Sequence, residues 1–124
     1  MSAVQSKSDA LDLLDPKTRR SVRVSEARAK GTHDLLDWNI MVAVCGYRCV
    51  MCRADGIRDV ILQKDHATSI REGGCDCIAN IQPLCPRCNS IKGCGSADYR
   101  PKGWSQGFET TMLKVREIFG KAAV

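Results

Sequence analysis

Two Cys-x-x-Cys pairs, Cys49 with Cys52 and Cys85 with Cys88, stand 32 residues apart in this chain. A two-residue gap lets both thiolates of a pair reach one ion at about 2.3 Å, and zinc prefers four ligands in a tetrahedron. Two pairs fill all four positions and leave none for water, so the expected zinc is structural. The interval exceeds the usual zinc-ribbon range. It encloses Lys64-Asp65-His66, Gly73-Gly74 and Asn80, and a helix carrying Asn89 and Lys92 starts where the second pair begins. Imidazole titrates near neutral pH, which suits His66 to act as a general base. Asp65 offers a hard oxygen of the kind Mg²⁺ or Mn²⁺ prefers, and the amide oxygen of Asn89 could be a second ligand. Lys92 lies one helical turn beyond Asn89, on roughly the same face, within reach of a phosphate oxygen. Taken singly, Asn89 and Lys92 read as ordinary surface residues. Taken together, the set meets the three needs of phosphodiester hydrolysis: deprotonating water, neutralising developing charge and holding the geometry.

The surrounding composition fits that chemistry. The chain has 124 residues, the length of one modest domain, with only two Trp, two Tyr and two Phe. A core so poor in rings benefits from a covalent or metal staple. The start, Met1 to Lys7, has no signal-peptide pattern, and no apolar run approaches a membrane span. The expectation is therefore a cytoplasmic protein with no membrane contact, where paired cysteines usually bind metal. Of the other four cysteines, Cys45 and Cys94 read as small buried or half-buried thiols. Cys75-Asp76-Cys77 could hold a second metal or act as a redox handle, but one Cys-x-Cys is a weak signal.

Net charge is +5, and all of it lies in residues 17–30, where Lys17, Arg19, Arg20, Arg23, Arg28 and Lys30 face Glu26 alone. Such a block suggests phosphate contact; the plainer reading is a solvated arm. Residues 1–16 look like a flexible leader, and 17–30 either a basic helix or an arm that orders on a partner. Asp34 caps a helix expected over Leu35 to about Val44, with Leu35, Trp38, Val42 and Cys45 facing inward. Residues 47–54 form the first knuckle. Val60-Ile61-Leu62 predicts a short strand running into Asp65-His66, and Ile81 to Leu84 a second. Residues 67–79 are a Gly-containing loop. A helix then runs from Pro86 to about Gly93. Phe108, Met112, Val115 and Phe119 recur at helical spacing and predict a C-terminal helix over about 107–120.

These residues resemble the HNH endonuclease family, whose core is the ββα-metal (His-Me) finger. The resemblance covers about residues 47–93. It extends more loosely to Gly31-Thr32-His33 with Trp38 and to Asp98-Tyr99-Arg100-Pro101, segments that often flank small phage-type members. The implied fold is α+β: a small zinc-stapled ββα finger flanked by N- and C-terminal helices, with residues 1–30 as leader and basic arm and 31–124 as nuclease domain. By position the resemblance makes His66 the general base, Asp65 and Asn89 the ligands of a catalytic Mg²⁺ or Mn²⁺, and Asn80 the brace of the loop behind the histidine. Lys92-Gly93 closes the motif, and the four knuckle cysteines match the structural zinc ligands of the zinc-bearing branch. It implies DNA as the partner, and cleavage leaving 5′-phosphate and 3′-hydroxyl ends in a bacterial or phage-infected cell. A DNA-binding module with weak or lost cleavage, or an accessory subunit beside phage packaging proteins, remains the alternative. Target sequence, nicking against double-strand cleavage and oligomeric state stay open. The departure is Cys75-Asp76-Cys77, where members usually carry polar residues.

Overall fold

A computed structural model describes residues 7–120, with side chains from Ala10 onward. Helices α1 (Lys7–Asp12), α2 (Pro16–Ala29) and α3 (Leu35–Val44) precede strand β1 (Gln63–His66). Two 3-10 turns, Ile70–Glu72 and Ile78–Asn80, lead to strand β2 (Ile81–Leu84). Helices α4 (Pro86–Lys92) and α5 (Trp104–Phe119) complete the order. The result is a mixed fold: a two-stranded antiparallel sheet with flanking helices and a cysteine cluster compatible with metal binding. Among the described residues, no helix is long and apolar enough to cross a membrane.

Helices α2, α3 and α4 start where the sequence provides a cap. Asp15 accepts from the Thr18 N–H at 2.9 Å, with Pro16 placed where a missing N–H costs nothing. Asp34 and Asp37 bond each other's backbone N–H at the head of α3, at 2.8 and 3.1 Å. Cys85 caps α4 through its own sulfur, which accepts from the Cys88 N–H at 3.4 Å. The metal-ligand spacing and the helix start are therefore one local structure.

The core gathers Met41, Cys45, Cys49, Val50, Leu84, Cys85 and Cys88, with Leu62, Ile78, Trp104 and Phe108 packed against it. Burying a side chain such as Met41 or Leu84 contributes about 1.5–3 kcal/mol. Three of the four knuckle cysteines thus belong to the core itself. The Arg100 guanidinium lies 3.7 Å from the Trp104 ring centroid, and its Nη1 donates to Ala79 O at 2.8 Å. Through Arg100, the Asp98-Tyr99-Arg100-Pro101 segment ties α5 to the turn before β2.

Several expectations need correction. Within the leader, residues 7–12 are helical, and residues 1–6 lie outside the described residues. Of the two readings of the basic block, the helix is the one observed: it is α2, with Ala27 buried. On α3 the inward residues are Ile40, Met41 and then Cys45, whereas Leu35 is 70% exposed. Leu36, Asp37, Trp38 and Val42 are half-buried, so within the first turn only Leu35 faces out. Val60-Ile61-Leu62 is no strand; pairing starts at Gln63 opposite Leu84. The next residue of β2's chain, Cys85, turns away to cap α4, so nothing remains for 60–62 to pair with. Helix α5 begins at Trp104, earlier than 107, and ends with Phe119 exposed. Cys94 is exposed, not half-buried.

Candidate active site and metal centre

The four knuckle sulfurs lie within 4.8 Å of one another. Ligands at about 2.3 Å from one tetrahedral ion stand about 3.8 Å apart, and Cys52 Sγ lies 3.8 Å from Cys85 Sγ. The cluster could hold one metal ion. Burial pushes the Cys88 thiol up to about 12, and the neighbouring thiols of Cys85, Cys52 and Cys49 add to the effect. At Cys49 burial also opposes ionisation, yet backbone N–H groups of Cys52, Cys85 and Met51 bring it down to about 6. One thiolate is favoured and another strongly opposed. A dication reverses that opposition, because a coordinating thiol is deprotonated outright. Outside the cluster, burial raises Cys45 to about 11, as expected of an inert core thiol.

The loop after β1 is locked by Asn80, which is buried. Its Oδ1 accepts from Thr68 N at 2.8 Å, and its Nδ2 donates to Thr68 O at 2.9 Å and Cys75 O at 2.8 Å. Gly74 makes this fold of the loop possible: a Cβ there would collide with Thr68 O and stand 2.8 Å from Asn80 Nδ2.

Adjacent strand residues face opposite sides, and Asp65 and His66 do have different neighbours. Asp65 is 7% exposed. Its Oδ2 accepts from Gln82 Nε2 at 2.9 Å, its direct partner in the strand register, and lies 3.2 Å from Lys92 Nζ. Lys92 also reaches Asp65 Oδ1 at 3.3 Å, His66 O at 3.1 Å and Gly95 O at 2.6 Å. The expected outward reach of Lys92 to a phosphate is not its position here. Its side chain is 3% exposed and its ammonium is shared among inward acceptors.

His66 turns instead toward the loop. Its Nε2 lies 2.9 Å from Asp76 Oδ1. Asp76 has no spacing in the sequence that ties it to His66, and its flanking cysteines are the more conspicuous residues. Those cysteines, Cys75 and Cys77, are joined by a disulfide. His33 Nδ1 lies 2.7 Å from the Asp76 carbonyl, and Arg28 Nε lies 3.8 Å from Asp76 Oδ2. The Gly31-Thr32-His33 segment thus meets the loop through His33. Asn89 donates through Nδ2 to Gln63 Oε1 at 2.9 Å, and its own Oδ1 has no partner among the described residues. Gln63 and Gln82, like Asp76, carry no spacing signal of their own; Gln82 becomes legible only from its pairing with Asp65.

The basic block divides in two. Lys30 Nζ donates to Gly73 O at 2.8 Å, and Arg28 faces Asp76, so both belong to the loop's support. Arg19 Nε donates to Leu14 O at 2.9 Å. Lys17 and Arg20 are exposed. Arg23 joins Lys30 and Arg71 at a cleft of about 250 Å³ between α2 and the turn at 70–74.

Residues 49–95 match the HNH endonuclease family. The match spans both knuckles, both strands and α4, the whole ββα unit just described. That match supports a nuclease family for this segment of the chain. No protein of curated function and no solved structure matches the chain.

Proposed function

We propose that this chain is a divalent-metal-dependent DNA endonuclease in which His66 is the general base. The observation that carries the reading is His66 at the end of β1, with one ring nitrogen held by Asp76 and the other without a partner among the described residues. The HNH match covers the same segment. His66 takes a proton from water, the oxygen attacks phosphorus as the bond to the 3′ oxygen breaks, and that oxygen takes a proton from solvent, leaving a 5′-phosphate and a 3′-hydroxyl.

Asp65 and Asn89 suit the catalytic Mg²⁺ or Mn²⁺ in donor type. A carboxylate offers about four lone-pair positions, of which Gln82 and Lys92 take up part at Asp65. Such an ion supplies Lewis-acid neutralisation of charge on the phosphate and the departing oxygen. Lys92 holds the Asp65 carboxylate in place, and Asn80 holds the loop behind His66. The four thiols are assigned to one structural Zn²⁺, with residues 31–124 as the nuclease unit. The exposed cations of α2, among them Lys17 and Arg20, are assigned to DNA phosphates together with Arg23. Phosphate contacts carry no sequence information.

The test is relaxation of supercoiled plasmid with Mg²⁺, Mn²⁺ or EDTA, beside His66→Ala. Metal-dependent cutting that His66→Ala lowers about 10²–10⁴-fold is expected. Near-normal cutting by the variant refutes the base assignment. DNA binding without cutting would favour the alternative, a DNA-binding module or an accessory subunit of a phage packaging or restriction machine.

A further inference from the structure

We propose that Asp76 is the positioning residue of this site: its carboxylate holds His66 by Nε2 and so presents Nδ1 to the water to be deprotonated. The inference rests on the reading of His66 as base and extends it to Asp76, a residue to which the sequence motif assigned no catalytic part. A carboxylate only accepts hydrogen bonds, so the hydrogen in the 2.9 Å contact sits on His66 Nε2. The lone pair is then on Nδ1, which has no hydrogen-bond partner among the described residues. A hydrogen bond at one ring nitrogen thereby sets the role of the other.

Asp76 can perform this task because it is itself held from several sides. Its backbone N–H donates to Ala27 O at 3.3 Å, on α2. His33, whose side chain is 7% exposed, bonds its carbonyl at 2.7 Å. Arg28 Nε faces Oδ2 at 3.8 Å. The Cys75–Cys77 disulfide closes a small ring across it, and Asn80 holds Cys75 O at 2.8 Å. A residue that merely filled a surface loop would need none of these restraints. They also join α2 to the base: α2 positions Asp76, and Asp76 positions His66.

The experiment uses the full zinc-loaded chain. Long-range ¹H–¹⁵N spectra of the wild type report which ring nitrogen of His66 carries the hydrogen. The chain has two histidines, so the His66→Ala spectrum assigns the signals. The wild type must show hydrogen on Nε2; hydrogen on Nδ1 overturns the proposal without any variant. Asp76→Asn keeps the shape but can present an N–H to Nε2, moving the hydrogen to Nδ1. It should lower kcat about 10²–10⁴-fold, with KM changed less than about threefold, and show the altered tautomer. In the His66→Ala background, Asp76→Asn should have no further effect. If Asp76→Asn cuts within about threefold of wild type while His66→Ala is inactive, this inference fails and the base assignment stands. If His66→Ala cuts normally, the base assignment itself has failed. A loss of kcat in Asp76→Asn with an unchanged tautomer, or a further loss in the double variant, would make Asp76 structural and also overturn the proposal.

Discussion

Asn80 makes three hydrogen bonds across the base of the active loop, to Thr68 N, Thr68 O and Cys75 O. Asn80→Ala removes all three at once. Each contributes about 1 kcal/mol net, for about 3 kcal/mol together. Thr68 is exposed, so water replaces part of two of them and the expected loss is about 2 kcal/mol. That is within the roughly 5–15 kcal/mol of an ordinary domain, so the variant should fold and hold its metal. Asn80→Asp separates the contributions. It keeps the acceptor for Thr68 N but turns an oxygen toward two carbonyls, so it should be at least as destabilised as the alanine variant at neutral pH. Urea unfolding of zinc-loaded protein measures both, and hydrogen exchange at the Thr68 amide reports the loop directly. Cleavage should fall in both, since Thr68 lies just after His66 and Cys75 just before Asp76. A loss under about 0.5 kcal/mol with unchanged Thr68 protection would refute the view that Asn80 holds the loop.

Cys85→Ser or Cys88→Ser should lose the bound zinc and much of the thermal stability, because the thiols are part of the core and structural zinc contributes folding energy itself. Cys75→Ser should keep one zinc per chain by elemental analysis, since Cys75 lies outside the cluster. Deleting residues 1–30 should weaken DNA binding and flatten its salt dependence, the log–log slope falling by about 0.9 for every phosphate that α2 no longer neutralises. The deletion should also lower kcat at saturating DNA, because Ala27, Arg28 and Lys30 support the loop; an unchanged kcat would separate α2 from the active site.

Short spacing alone was enough for part of this site. Cys-x-x-Cys brings two thiols to one ion within a single turn of chain, and Pro86 after Cys85 starts a helix whatever lies around it. Asp34 before Leu35 and Pro16 after Asp15 set helix starts in the same local way. The contiguous Asp65-His66 and the offset from Cys88 to Asn89 and Lys92 needed no tertiary knowledge to nominate. Which side chains those groups meet is a long-range matter. Gln82 faces Asp65 because of strand register, and Lys92 turns inward because three acceptors converge there. Val60-Ile61-Leu62 has strand-like residues but no partner, since β2 ends where Cys85 leaves to cap α4. The basic block reads equally as a helix or an arm because its charge is local, while its attachment runs through Ala27, Arg28 and Lys30 to a loop more than forty residues away. Asp76 sits ten residues from His66 with no periodicity to link them. Only the closing of the loop by Asn80 and Gly74 brings its carboxylate to the imidazole.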